Sequence, residues 1–208
     1  GGVTCITGAN MGGKTVALRL IGMLSAMAQY GLFVPAEKMK FSLKEYIFFS
    51  LGDMQSTDMG LSTFGGEIIK IKEAIKDSDK EGLILIYELA RGTNPKEGYA
   101  ISKAIINYLK NKNTITVITT HFDGLADDKD VKHLQVRGIS KESFEKISQR
   151  LKEEKMGSET LHYYMDYRLQ EVSSGKEVPK DAIKISRLMG LDEEILKEAE
   201  EILRKVKS

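Results

Sequence analysis

The sequence predicts an α/β fold in which a mostly parallel sheet carries helices on both faces. Three observations lead there. Short apolar or β-branched runs alternate with longer segments of helical periodicity from the first residues to Thr120. The run Leu83-Ile84-Leu85-Ile86 is apolar at every position, as a central parallel strand covered on both sides requires. A glycine-rich stretch, Gly8 to Thr15, separates the first strand from the first helix.

Val3 to Thr7 reads as a short buried strand, and Lys14 to Tyr30 as a helix with Leu18, Leu20, Ile21, Leu24 and Met27 on its apolar side. Gly31 is a helix stop and Pro35 a turn marker. Tyr46 to Leu51 is a second apolar strand, followed by a polar loop from Gly52 to Leu61. Ser62 or Thr63 is placed to cap a helix that runs to about Lys76, with Ile68, Ile69, Ile71, Ala74 and Ile75 at helical spacings. Gly82 to Ile86 is the third strand. Pro95 marks the start of a helix that continues through Ala100 to Leu109. Thr114 to Thr120 is a β-branched strand with His121 at its carboxyl end.

The texture changes after about Asp130. Val131 to Ile139 and Leu161 to Leu169 read as strands, and the polar segment Ser140 to Glu154 as a linker or short helix. Lys180 to Gly190 and Asp192 to Val206 read as two helices separated by a glycine, with Leu188, Leu191, Ile195, Leu196, Ala199 and Ile202 apolar. The division expected is a core over residues 1–175 and a helix-turn-helix element over 176–208.

Composition narrows the function classes. The 208 residues carry 31 basic and 30 acidic side chains, a net charge of +1, so whole-chain charge gives no sign of nucleic-acid binding. A single cysteine, Cys5, excludes disulfides and cysteine-rich metal sites within the chain and is consistent with a reducing, cytoplasmic setting. Its place in Val3-Thr4-Cys5-Ile6 suits a buried small side chain better than a nucleophile. No apolar stretch reaches the ~18 residues of a membrane span, and no signal peptide is visible. With Gly1 at the start and the chemistry beginning almost at once, the chain reads as a domain of a longer protein, its upstream domains absent.

Chemistry concentrates at the carboxyl ends of the strands, where ligands of parallel sheets bind. Gly8-Ala9-Asn10-Met11-Gly12-Gly13-Lys14-Thr15 fits the phosphate-loop pattern of glycine, four residues, then Gly-Lys-Thr. Glycines let the turn aim backbone N–H groups at phosphate oxygens, and the following helix N-terminus favours the same anion. Lys14 would reach the β- and γ-phosphates of ATP, and the Thr15 hydroxyl would ligate Mg²⁺. Glu88, just past Leu83-Ile84-Leu85-Ile86, is placed to orient or deprotonate the attacking water. ATPases of this type usually hold Mg²⁺ with an aspartate one residue earlier, where this chain has Tyr87. A neutral phenol with a pKa of about 10 supplies no anion, so ATP binding with impaired hydrolysis is expected. Whether an acid such as Asp53 substitutes stays open, as does whether Tyr87 is a variant residue. His121 is read as a sensor of the γ-phosphate or of the attacking water. No histidine or cysteine cluster suggests zinc, and no serine-hydrolase elbow is present.

Four spaced segments resemble the MutS family of dimeric ATPases. They are Thr7 to Thr15 with its Asn-Met-Gly-Gly-Lys core, Gly52-Asp53-Met54-Gln55-Ser56 with Leu61-Ser62-Thr63-Phe64, Glu88-Leu89-Ala90-Arg91-Gly92-Thr93-Asn94-Pro95-Lys96-Glu97-Gly98, and Thr119-Thr120-His121-Phe122. Tyr167-Arg168-Leu169, Gly175, Ala182 and Gly190-Leu191 resemble the end of that family's ATPase domain. The resemblance implies an ABC-type core whose copies pair into a homodimer with composite ATP sites. Asn10, Lys14, Thr15 and Glu88 would serve the nucleotide of one subunit, and Ser62 and Thr63 would approach the γ-phosphate of the partner's nucleotide. The two C-terminal helices would help form the dimer. Tyr87 is the one serious departure from the family pattern.

The Gly-Asp-x-Gln-Ser and Gly-Thr-x-Pro-x-Glu-Gly wording is more similar to the MutS2 and stand-alone MutS-like branches than to mismatch-repair MutS. Some MutS-like proteins are linked to B12-dependent amino-acid aminomutases. Three functions follow as expectations: a motor domain for a protein that handles DNA through upstream domains, a reactivation factor acting on an aminomutase, and an ATP-gated dimerisation switch with little turnover. A kinase is disfavoured, because Ser62-Thr63-Phe64 and the other spaced motifs match a dimeric ATPase.

Overall fold

The computed structural model describes residues 1–8, 13–50, 63–90, 92–140, 142–145, 147, 165–173 and 182–206, and for Thr63 and Val206 the backbone alone. In chain order the elements are β1 (Gly2–Thr7), α1 (Lys14–Gln29), β2 (Tyr46–Ser50), α2 (Thr63–Lys76), β3 (Gly82–Ile86), α3 (Pro95–Leu109), β4 (Ile115–Thr119), β5 (Val131–Ile139), β6 (Met165–Glu171), α4 (Ala182–Leu188) and α5 (Glu193–Val206). The strands form one sheet in the order β2-β3-β4-β1-β5-β6. Five strands run parallel, and β6 pairs antiparallel with β5 at one edge. This is the mostly parallel, helix-flanked sheet that the alternating pattern predicts.

Strand periodicity sorts the core into two layers. Val3, Cys5, Ile84, Ile86, Ile118 and Val131 face α2 and α3, packing with Ile71, Ala74, Ile106 and Leu109. Ile6, Leu83, Leu85, Val117 and Val136 face α1 and pack with Leu18. Burying both sides of β3 explains why its run has no polar position, since all five of its residues are buried. Each fully buried isoleucine or leucine in these layers stabilises by about 1.5–3 kcal/mol.

Helix α1 departs from the expected apolar side. Leu18 is buried, but Leu20 is 45 % exposed, as are Val16 and Met23 at still higher values. At ~100° per residue, Leu20 lies on the far side of the helix from Leu18. The helix rests on the sheet through Ala17, Leu18 and Ile21. Outward-facing Val16, Leu20 and Met23, with Ile47 and Phe49 of β2, line an open apolar groove of about 530 Å³.

Helix α3 starts where the sequence signals it. Asn94 caps it, its Oδ1 accepting from the Lys96 N–H at 3.0 Å, with Pro95 in the first turn. Helices α4 and α5 flank Gly190, whose φ of +81° makes the turn. Arg187 joins them by donating to Glu193 Oε1 at 2.8 Å and Glu200 Oε1 at 3.0 Å. Leu188 and Leu196 are buried, whereas Leu191, Ile195 and Ile202 are exposed. Among the described residues no helix is long and apolar enough to cross a membrane.

Candidate functional site

Parallel register brings three strand ends together. Ile6 pairs with Thr119, and Ile86 with Ile118, so Thr7 falls level with Thr120 and Tyr87 with Thr119 where these strands end. The Thr120 N–H donates to the Ile6 carbonyl at 3.1 Å and the Tyr87 N–H to the Ser50 carbonyl at 2.9 Å. Gly8, Lys14, Glu88 and His121, from segments far apart in sequence, therefore share one edge of the sheet.

Lys14 is the first residue of α1, and its ammonium is buried. Its Nζ donates to the Gly8 carbonyl at 2.8 Å and lies 3.9 Å from Glu88 Oε1. Burial pushes the lysine pKa down, and the Glu88 carboxylate acts against that shift. A lysine desolvated beside a strand end is a cation held ready for an anion, since water cannot satisfy it there. Gly13, just before it, has φ +91°, and a Cβ there would meet the ring of Tyr167 on β6. The glycine is thus required both by the left-handed backbone and by an aromatic ring lying against the loop. Thr15 follows, half-buried, at the start of the helix.

The chain past β3 makes a tight turn with two non-glycine residues in the left-handed region, Glu88 at φ +46° and Ala90 at φ +61°. Each such residue costs roughly 1–2 kcal/mol, so the surroundings must enforce the turn. Four elements do so. Tyr87 is bound by Ser50 of β2 as above. The Glu88 N–H donates to Thr119 Oγ1 of β4 at 3.0 Å. The Leu89 carbonyl accepts from Ser102 Oγ of α3 at 3.3 Å. The Ala90 N–H donates to Glu67 Oε1 of α2 at 2.9 Å. The result is a buried Glu88, 6 % exposed, fixed at the strand end.

Tyr87 keeps the parity of Leu83 and Leu85. It is half-buried against the α1-side layer, on which Ala17 and Ile21 also pack. The phenol thus lies on the side of the sheet that carries the Thr15 helix. His121 is exposed, its ring 4.5 Å from that of Phe122. Ala9, Asn10, Met11, Gly12, Asp53, Ser62 and the Thr63 side chain lie outside the described residues, as do Gly52 to Leu61 and Gly175. Among the described residues no group of three or more His, Cys, Asp or Glu is arranged to hold a metal ion. The described oxygen donors near the loop are the Thr15 and Tyr87 hydroxyls and the Glu88 carboxylate, which lies beside Lys14. Thr15 suits a single ligand to a magnesium ion otherwise held by phosphates and water, and Tyr87 adds no negative charge.

Sequence reasoning missed His133. It is buried on β5, next to β1, with Nε2 and Thr7 Oγ1 2.8 Å apart and Nδ1 without a hydrogen-bond partner among the described residues. Desolvation lowers its pKa, with Asp127 opposing, so the imidazole is held neutral. Alternation in Val131-Lys132-His133-Leu134 was the available signal for an inward histidine. Glu67, Thr119 and Ser102 gave no signal, because they act on backbone groups of a distant turn. Cys5 is fully buried as expected, and desolvation pushes its thiol pKa up to about 12.

Comparison with known proteins gives the family of the chain. Residues 4–207 match the protein family described as MutS domain V. The chain is 35 % identical over 199 residues to an Endonuclease MutS2 of Acetivibrio thermocellus, covering 95 % of this chain and 23 % of that protein. It is 36 % identical over 195 residues to an Endonuclease MutS2 of Caldanaerobacter subterraneus subsp. tengcongensis, covering 93 % and 22 %. An Endonuclease MutS2 of Fusobacterium nucleatum is 35 % identical over 202 residues, covering 97 % and 24 %. The chain thus spans less than a quarter of the length of these relatives.

Proposed function

Because this chain belongs to the MutS family, through its domain V, we propose that it is the ATP-binding and ATP-hydrolysing motor of a dimeric MutS-like protein that handles DNA. Turnover in this motor is slowed by Tyr87. The observation that carries the reading is the buried Lys14–Glu88 pair, 3.9 Å apart where β1 and β3 end. A buried cation and carboxylate are costly unless further hydrogen bonds satisfy them, and phosphate oxygens at Lys14 and a water at Glu88 would supply such bonds.

On this reading Lys14 exchanges the Gly8 carbonyl for phosphate oxygens when ATP enters. The amides of Gly8 to Gly13 cradle the phosphates, with Asn10 reaching the same nucleotide. Glu88 orients the attacking water and accepts its proton, and His121 faces the γ-phosphate. Magnesium, when bound, neutralises phosphate charge from the Thr15 side. Tyr87 leaves that cation without a protein carboxylate unless Asp53 serves. Thr63, the first residue of α2, and Ser62 before it in the sequence act on the partner's nucleotide, and the exposed Ile195 and Ile202 of α5 supply a dimer surface. DNA contact belongs to parts of the protein beyond this domain.

Tyr87 also favours a second reading, an ATP-gated dimerisation switch with little turnover. Steady-state phosphate release with ATP and Mg²⁺, across protein concentration, separates the two when this chain is run beside Tyr87→Asp. Turnover in both that rises with concentration supports a composite motor. Turnover only in the aspartate form means a switch. ATP that binds to neither form ends both readings.

A further inference from the structure

We infer that Glu67 is a positioning residue that links α2 to the turn carrying Glu88, so that movement of α2 changes the placement of the Glu88 carboxylate. The inference rests on the ATPase reading above and deepens it. Helix α2 begins at Thr63, and Glu67 follows one helical turn later, half-buried. Its carboxylate accepts the N–H of Ala90 at 2.9 Å. Ala90 is buried and left-handed, two residues past the equally left-handed Glu88. A second contact brings helix and turn together at the same place: a Cβ added to Gly92 would lie 3.2 Å from Phe64 N and 3.3 Å from Phe64 Cβ.

The other holds on this turn come from β2, β4 and α3. Glu67 differs because it belongs to the helix that opens with a residue expected to meet the partner's nucleotide. A carboxylate-to-amide bond is charge-assisted and directional, so a shift of the helix is transmitted to the amide it holds. In a dimer each α2 would touch one composite site while its own Glu88 acts in the other. Glu67 is therefore the side chain through which occupancy of one site reaches the catalytic turn of the second.

The test compares Glu67→Ala and Glu67→Gln, each in the present chain and in the Tyr87→Asp chain. Three quantities are read: ATP affinity by titration, the single-turnover hydrolysis rate, and amide exchange of residues 87–90 with and without ATP. Expected for Glu67→Ala is an ATP affinity within about twofold of the parent and a hydrolysis rate at least ~10-fold lower wherever the parent turns over. ATP-induced protection of residues 87–90 should also disappear. Glu67→Gln, which keeps an oxygen acceptor, should restore most of both. If Glu67→Ala does not fold, Glu67→Asp, one methylene too short, should show the same losses. ATP binding with unchanged rate and unchanged ATP-dependent exchange in Glu67→Ala overturns the inference and leaves the ATPase reading standing. A parent chain that binds no ATP overturns the ATPase reading, and this inference with it.

Discussion

Replacing Gly13 by alanine should destabilise the entry to α1 in two separable ways. The residue sits at φ +91°, where a Cβ costs about 1–2 kcal/mol. The added carbon would also press on Tyr167, lying 2.9 Å from Cε1 and closer still to Cδ1. Tyr167 is 38 % exposed, so its ring can swing toward solvent rather than force the loop apart. Overpacking of this kind costs about 1–3 kcal/mol. The summed loss for Gly13→Ala is about 2–5 kcal/mol. In a Tyr167→Ala background only the backbone strain remains, so the loss should shrink to about 1–2 kcal/mol. Urea denaturation of the four proteins in this cycle gives the coupling directly. A Gly13→Ala loss of the same size in both backgrounds would show that the Tyr167 ring does not press on the loop. A loss below ~0.5 kcal/mol would contradict the left-handed assignment itself.

Two further predictions concern the groups beneath the site. Thr119→Val removes the acceptor for the Glu88 N–H while keeping the shape, so a buried donor is left unsatisfied; stability should fall by about 1–3 kcal/mol in a denaturant titration. His133 has a folded-state pKa below its ordinary 6.5, so the unfolded chain binds more protons in the window between the two values. Its contribution to stability is complete above about pH 6.5 and is lost as pH falls toward the folded value; His133→Gln should flatten this part of the stability–pH curve, and an unchanged curve would mean the histidine is not held neutral.

Much of this fold is legible in the sequence because its strands are short, apolar and interrupted by strong breakers. The β3 limits, Gly82–Ile86, follow directly from an unbroken apolar run, and Val131–Ile139 from alternation. Helix α1 shows where periodicity fails. Val16, Leu18, Leu20, Ile21 and Met23 surround the helix, and only the sheet decides that Leu18 is buried and Leu20 is not. At the site, Lys14 and Glu88 are legible because local motifs name them, and the structure brings the two side chains within 3.9 Å of each other. The left-handed turn at Glu88 and Ala90 is not legible, because glycine, the usual marker, is absent at both positions. Tertiary hydrogen bonds from Thr119, Ser102 and Glu67 impose that turn, and such partners leave no periodic trace. Tyr167 against Gly13 is likewise a contact between distant segments that neither sequence neighbourhood announces.

On the proposed reading the buried Lys14 ammonium beside Glu88 binds the phosphates of ATP. Calorimetric titration of ATP and Mg²⁺ into this chain and into Lys14→Ala tests it most directly. Saturable binding to the parent chain is expected, with an affinity roughly 10- to 100-fold lower in Lys14→Ala, the loss that follows from a charge-assisted contact of about 1.5–3 kcal/mol. Equal affinity in the two proteins, or no binding to the parent, would contradict it.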